Sequence, residues 1–296
     1  MTTYLSYEVF VSGLAPVQGG QLPDGGSPHW SPLAHTLVYG PRTAAVVDPP
    51  ITRAQAGALG DWIAAHEREL TAIYVTHWHG DHWFGTAELL SRFPRARVLA
   101  SPATRARMRA SVADGSVPPL WTGLFPGQIS DGAAIAAAAD AVEEVPADGF
   151  EVDGSLLLSV ETGHSDTDDS TVLHVPSLGL VVAGDVVYNN VHQYLAETPN
   201  GGTEAWHHAL DTVASLDPRH VVAGHKDVRR PDAVANIDET HAYLDATSAL
   251  LDAGVSRREF FTRVLKLYPE RINPYTAWLS AVRLIAEDDE VSEVSE

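Results

Sequence analysis

Ala72-Ile73-Tyr74-Val75-Thr76-His77-Trp78-His79-Gly80-Asp81-His82 is the stretch that decides how the rest of the chain is read. Its first four residues form an apolar run, which predicts a buried strand ending at Thr76. Four side chains of metal-ligand type follow within six residues, His77, His79, Asp81 and His82, and then a helix is predicted over Thr86 to Phe93. The cluster therefore falls in a loop after the C-terminal edge of a strand, where α/β folds place their chemistry. In an extended segment the period of two aims His77 and His79 the same way, while Asp81 and His82 at the following bend can face a second ion.

Working outward, Tyr7 to Ser12 and Ala44 to Asp48 read as strands, with a loop expected between them. Within it, Gln18 to Pro32 is rich in Gly and Pro turn signals and lacks core periodicity, the mark of a long functional loop. Thr52 and Gln55 make a capping box for a helix continuing toward Leu70. Arg97 to Ala100 reads as a strand and Pro102 to Val112 as a helix with Pro in its first turn. Pro118 to Pro126 reads as irregular, and Ala133 to Ala139 fits either a helix or a loose connection.

Further strands are expected at Leu156 to Thr162, Thr171 to Val175, Leu178 to Ala183 and His220 to Ala223. Helices are expected over Thr203 to Ser215, Asp232 to Leu251, Ser256 to Leu267 and Tyr275 to Ala286, with Ser256 and Glu259 as another capping box. The acidic run Glu287 to Glu296 is expected to fray. Two strand-rich portions flanked by helices, with no long linker, point to a single α/β domain over 1–296 with C-terminal helices from about 230.

With 39 acidic against 19 basic residues the chain carries a formal charge of −20, which repels a phosphate backbone and disfavours nucleic-acid partners. Zero cysteines exclude zinc–thiolate sites and cysteine nucleophiles, so any metal must be held by His and carboxylate. No stretch approaches the ~18 apolar residues of a membrane span, and Met1 to Glu8 lacks a basic and apolar leader pattern. A cytoplasmic enzyme acting on a small molecule, without membrane attachment, is the expectation. The sequence leaves the oligomeric state open.

A chance cluster of polar loop residues is the plain alternative for His77 to His82. Against it, Gly163-His164, Gly184-Asp185 and Gly224-His225 each follow another apolar strand and supply further ligand-type residues. At this point the chain resembles the metallo-β-lactamase superfamily, whose pattern is His-x-His-x-Asp-His followed by a separate His, Asp and His. The resemblance spans roughly Tyr7 to Lys226 and implies a four-layer αββα sandwich. It implies two Zn²⁺ per chain, with Fe or Mn as other candidates: His77, His79 and His164 on one ion, Asp81, His82 and His225 on the other, and Asp185 bridging. A metal-bridging hydroxide would then attack an ester, lactone or thioester bond.

Asp185 stands where true β-lactamases of this fold commonly carry Cys or Ser, so the resemblance is closer to thioesterases, lactonases and phosphodiesterases. The segment Gly163 to Asp168 departs from the family by having Asp-Thr where many relatives have Pro-Gly, and Asp166, Asp168 or Asp169 could support a ligating His. Asp48 matches a family Asp that supports the metal loop. Tyr188 lies where similar lactonases carry a Tyr that can contact the substrate. Asp81 and Tyr188 are thus the catalytic candidates, although an aromatic at 188 suits packing equally well.

Trp30, Trp78, Trp83, Phe84, Tyr194 and Trp206 are candidates for a substrate wall, Trp78 foremost because it lies between two ligands. His29, His192, His207 and His208 read as surface or core histidines. The C-terminal segment lacks the basic cluster with which glutathione-thioester hydrolases hold an anionic substrate, so a neutral, partly apolar substrate is expected. Two other readings use the same residues: an oxidoreductase resembling the mononuclear iron persulfide dioxygenases, and a metal-binding module without catalysis. Flavodiiron oxygen reductases fit less well, since they carry Glu in place of His79.

Overall fold

The computed structural model describes residues 5–198 and 202–286. In chain order the strands are β1 (Ser6–Ser12), β2 (Ala15–Pro16), β3 (His29–Trp30), β4 (Leu33–Tyr39), β5 (Thr43–Val47), β6 (Glu69–Tyr74), β7 (Arg97–Ala100), β8 (Val142–Glu144), β9 (Phe150–Val152), β10 (Ser155–Gly163), β11 (Ser170–Val175), β12 (Leu180–Val182), β13 (Tyr188–Asn189), β14 (His220–Val222) and β15 (His225–Lys226). The helices are α1 (Arg53–Ala65), α2 (Thr86–Arg92), α3 (Pro102–Ser111), α4 (Pro119–Leu124), α5 (Gly132–Asp140), α6 (Gly202–Ser215), α7 (Ala235–Asp252), α8 (Arg257–Leu267) and α9 (Pro274–Leu284). One eight-stranded sheet runs β13-β15-β4-β5-β6-β7-β8 with β1 on β4, a five-stranded sheet runs β14-β12-β11-β10-β9, and β2 pairs β3.

Alternation along the strands builds four layers. In the larger sheet Leu37, Val46, Ile73 and Val98 pack with Leu59 and Ile63 of α1, Met108 of α3 and Ile135 of α5. Their neighbours Val38, Ala45, Val47, Tyr74 and Leu99 face the other way, against Leu157, Leu173, Leu180, Val182 and Val222 of the second sheet. The second sheet repeats the pattern: Val172, Val181 and Val221 pack on Trp206, Leu210, Tyr243, Leu244 and Phe260 of α6, α7 and α8. Because successive side chains point to opposite faces, each apolar strand serves two cores at once, which is why these segments read as unbroken apolar runs. The αββα sandwich is the result.

Local signals placed several helix starts. Thr52 and Gln55 form the full reciprocal capping box. Ser101 caps α3 ahead of Pro102, and Asp131 caps α5 by accepting from the Ala134 N–H, so the Ala-rich run is a helix. Ser256 accepts from the Glu259 N–H, while the Glu259 carboxylate pairs with Arg263 at 2.5 Å.

Two elements differ from expectation. The loop expected between β1 and Ala44 contains β4, a strand paired on both flanks, with His35 and Thr36 fully buried in its middle. Polar residues there hid the strand, and the His35 ring is satisfied by Ser12 Oγ at 2.8 Å and the Asp48 carbonyl at 2.5 Å. Pro118 to Pro126, expected to be irregular, holds α4, whose Trp121 and Leu124 are buried. The acidic run Glu287 to Glu296 lies outside the described residues. Among the described residues no helix is long and apolar enough to cross a membrane.

Candidate metal centre

The ends of β6, β12 and β14 converge where the two sheets meet. Gly224 makes this possible: a Cβ there would collide with the Asp185 carboxylate. Gly184, at φ +50, brings Asp185 past Thr76 so closely that a Cβ on this glycine would stand only 2.5 Å from the Thr76 hydroxyl.

Asp48 is the hub of the buried side. It is itself left-handed at φ 55, a conformation Asp tolerates better than most residues. Its carboxylate accepts from the Thr76 N–H at 2.8 Å, the Thr76 hydroxyl at 2.7 Å and the His82 Nδ1 at 3.0 Å. His82 Nε2 is thereby turned toward Asp185 Oδ1 at 3.3 Å and Asp81 Oδ2 at 3.8 Å. His225 is oriented in the same manner: Nδ1 lies 3.1 Å from the Pro32 carbonyl, and Nε2 faces Asp185 Oδ2 at 3.1 Å and Asp81 Oδ2 at 3.5 Å. Trp30 Nε1 donates to Asp81 Oδ2 at 2.8 Å.

On the other side His77 Nδ1 lies 3.0 Å from the Thr76 hydroxyl and its Nε2 faces inward. His79 is reversed, with Nε2 3.0 Å from Glu197 Oε1 and Nδ1 inward. Glu197 also accepts from the Thr167 hydroxyl at 2.6 Å, and Thr167 in turn accepts from Trp78 Nε1 at 2.9 Å.

Three overlapping sets of ligand atoms lie within 4.8 Å of one another: His77, His82 and Asp185; His77, His79 and Asp166; and Asp81, His82 and His225. The structure thus brings together six of the seven expected ligands. His164 is the exception. It stands outside these sets, its Nδ1 2.7 Å from Asp168 Oδ1 and its Nε2 turned against Gly202. Asp166 lies beside His77 and His79, with Oδ2 2.8 Å from His79 Nδ1 and 3.7 Å from His77 Nε2.

Tyr188 lies away from the cavity. It is buried behind Asp185, donates to Asp185 Oδ2 at 2.8 Å, and is not among the residues lining the cavity beside the centre. Burial, reinforced by the Asp185 charge, raises its hydroxyl well above the usual range, so it remains a donor. His192 is a core residue against the Tyr243 hydroxyl.

Elementary chemistry supports a cation here. His77 Nε2, His82 Nε2, His164 Nε2, Asp185 Oδ1 and Asp166 Oδ2 are buried without a hydrogen-bond partner, and groups left so are costly unless something else satisfies them. Burial pulls the His225 imidazole down, yet Asp185 and Asp81 outweigh it and push it up to about 9; His82 is likewise raised. Asp185 is held well below the carboxylate range, despite burial, by His225 and His82. A pocket with such a field attracts positive charge, and imidazole with carboxylate oxygen is a donor set that zinc, iron or manganese accepts.

The adjoining cavity, about 140 Å³, opens onto His79, Asp81, Asp166, Asp185 and His225. Trp30, Trp78, Trp121, Tyr194, Leu120 and Leu279 wall it, with Glu197 at one edge. Trp30 and Trp121 meet edge to face with ring centroids 5.2 Å apart. Of the expected wall residues, Trp83, Phe84 and Trp206 are instead core. Trp121, Leu120, Leu279 and Glu197 escaped sequence reading, because they come from segments distant in the chain.

Residues 35–225 match the family model described as the metallo-beta-lactamase superfamily. Solved structures share the fold: a metallo-beta-lactamase from Pontibacter korlensis aligns at TM-score 0.55 and 18% identity, covering 80% of this chain and 99% of that one. One from Pseudomonas aeruginosa, described in a mono-zinc form, aligns at TM-score 0.54 and 16% identity over 84% and 96%. Among curated proteins, a hydroxyacylglutathione hydrolase of Synechococcus sp. (strain CC9902) is 42% identical over 79 residues, 26% of this chain and 30% of that protein. Its counterpart in Francisella tularensis subsp. novicida is 38% identical over 64 residues, 22% and 24%. The match thus spans less than a third of these relatives' own length. With the sandwich, the converging strand ends and the family match agreeing, the chain belongs to the metallo-beta-lactamase superfamily.

Proposed function

We propose that the protein is a metal-dependent hydrolase acting on an ester, lactone or thioester bond of a small, uncharged, partly apolar molecule, and that its C-terminal helices belong to the same single domain. The observation that carries the reading is the set of buried, unpartnered donor atoms of His77, His82 and Asp185, gathered behind an apolar cavity that Asp185 itself lines. His77, His79, Asp81, His82, His225 and the intervening Asp185 would hold two cations, zinc by preference. When bound, such a pair supplies an acidified water nucleophile and polarises the substrate carbonyl. The partial similarity to curated hydrolases supports the reaction class and leaves the substrate to be read from the cavity.

The chain's own residues do the positioning. Asp48, Thr76, the Pro32 carbonyl and Glu197 each hold the outer nitrogen of a ligating imidazole, which fixes ring orientation. Trp30 fixes Asp81, and Tyr188 fixes Asp185. The indole and aliphatic walls exclude water and accept an apolar acyl or leaving group. Among the described residues no Lys or Arg lines the cavity, so a substrate carboxylate away from the metal site would find no cationic side chain there. This favours compact neutral esters and lactones over anionic substrates.

Hydrolysis of a panel of neutral aryl esters, lactones and thioesters, before and after chelation, tests the reading. Turnover is expected to vanish on chelation, to return with Zn²⁺ or Mn²⁺, and to be lost in Asp81→Ala. Hydrolysis that survives both treatments sinks the proposal, and oxygen consumption by an iron-loaded protein on persulfides would replace it with the oxidoreductase reading.

A further inference from the structure

We propose that Asp166, not His164, supplies the third donor beside His77 and His79. The inference rests on the metal-centre reading above but not on the reaction the centre performs. The outer nitrogens of both imidazoles are occupied, by the Thr76 hydroxyl and by Glu197. The inner ones, His77 Nε2 and His79 Nδ1, share one facing atom, Asp166 Oδ2. Asp166 is fully buried, and that oxygen lacks a hydrogen-bond partner, as does His77 Nε2. Two buried polar atoms 3.7 Å apart, neither with a hydrogen-bond partner, are costly to leave so. An ion pair of Asp166 with His79 alone leaves His77 Nε2 orphaned; a cation among the three atoms satisfies all of them.

The loop is built to present this carboxylate. A register shift separates Glu161 from Gly163 in the β10–β11 pairing, and Gly163 takes φ +82. Beyond it the Ser165 N–H donates to the Thr167 carbonyl at 2.9 Å, the Ser165 hydroxyl to Ser170 Oγ at 2.8 Å, and the Ser170 hydroxyl back to the Thr167 carbonyl at 3.0 Å. This closed turn, tied to the start of β11, buries Ser165, Asp166 and Thr167 and sets His164 apart from the other ligand-type atoms, its Nδ1 held by Asp168 and its buried Nε2 beside Gly202. Asp168 is itself paired with Arg107 at 3.2 Å.

The consequence is chemical. Two imidazoles and a carboxylate carry one more negative charge than three imidazoles and offer a harder oxygen donor, which moves preference toward Mn²⁺ or Fe²⁺ relative to an all-imidazole set. Metal content and affinity of the full chain, measured by elemental analysis after equilibrium dialysis against Zn²⁺ and Mn²⁺, test this without any activity assay. The expected result is that His164→Ala keeps two ions per chain within about threefold of the parent affinity, whereas Asp166→Ala loses one ion or weakens it by about 100-fold. Asp166→Asn, similar in size but a weaker donor, should behave as Asp166→Ala does and guards against a folding defect. Asp166→His should restore two-ion binding with preference shifted toward Zn²⁺. An ion lost in His164→Ala, or both ions retained in Asp166→Ala, overturns the proposal. Failure of the hydrolase reading alone, with two ions bound, leaves it standing.

Discussion

The two halves of the centre are built on different foundations. The half formed by Asp81, His82 and His225 lies at the junction of the sheets and leans on Asp48 and a backbone carbonyl, groups set by strand pairing itself. The half formed by His77, His79 and Asp166 meets the cavity as the first does, through two of its three residues, but its His79 leans on Glu197, itself held by Thr167, and both come from loops. Strand pairing holds the first half to its geometry, whereas the second can change with the loops that shape the substrate space. It is in the second half that the proposed donor set departs from the one the family pattern implies.

Asp48→Asn tests the contrast most severely. Asn tolerates the left-handed backbone at this position, so the change removes the charge with little strain. Loss of one orienting partner on His82 and of the anchor for Thr76 is expected to weaken metal binding by about 100-fold, the upper end for an orienting group behind a ligand. Titration with a competing chelator measures it, and a change within threefold would mean that this half does not depend on its hub.

A second effect reaches the same half through His35. Burial drives this imidazole down to about 4, so the folded protein keeps it neutral while the unfolded chain protonates near 6.5. The unfolded state therefore binds more protons between those values, and stability falls as pH drops from about 6.5 to 4, by up to about 1.4 kcal/mol per pH unit. Denaturant unfolding at several pH values should show this slope in the parent and a shallower one in His35→Gln.

Glu197→Gln, on the cavity side, is expected to cost about tenfold in affinity for one ion, with less effect on stability because the site is partly open. Tyr188→Phe is the smallest change. It removes one hydrogen bond to Asp185, a net loss of about 1 kcal/mol, and turnover should fall only a few-fold. A drop beyond about 100-fold would instead return Tyr188 to the chemistry.

How legible each half was in the sequence follows the same division. His77 to His82, Asp185 and His225 could be read because each closes an apolar strand, and strand ends are local signals. Asp48 was legible for the same reason. β4 was not, since His35 and Thr36 look unlike a buried strand until their partners, Ser12 and Asp48, are in place. The turn at 163–170 was flagged by its unusual Asp-Thr, but which of its side chains turns inward depends on hydrogen bonds to Ser170 that no pattern announces. Glu197 and Trp121 gave no signal, because their roles arise only when distant loops meet over the cavity.

Trp30 carries a consequence for how this protein could change over generations. Its ring is a wall of the cavity and its Nε1 holds Asp81, so altering what the wall accepts at this position also loosens a proposed metal ligand. Trp121 and Leu120, on α4, line the same space from a helix that contributes none of the ligand-type residues. Selection for a new substrate therefore has a free path through α4 and a penalised one through Trp30, and divergence among descendants should accumulate on the helix while the indole at 30 stays put.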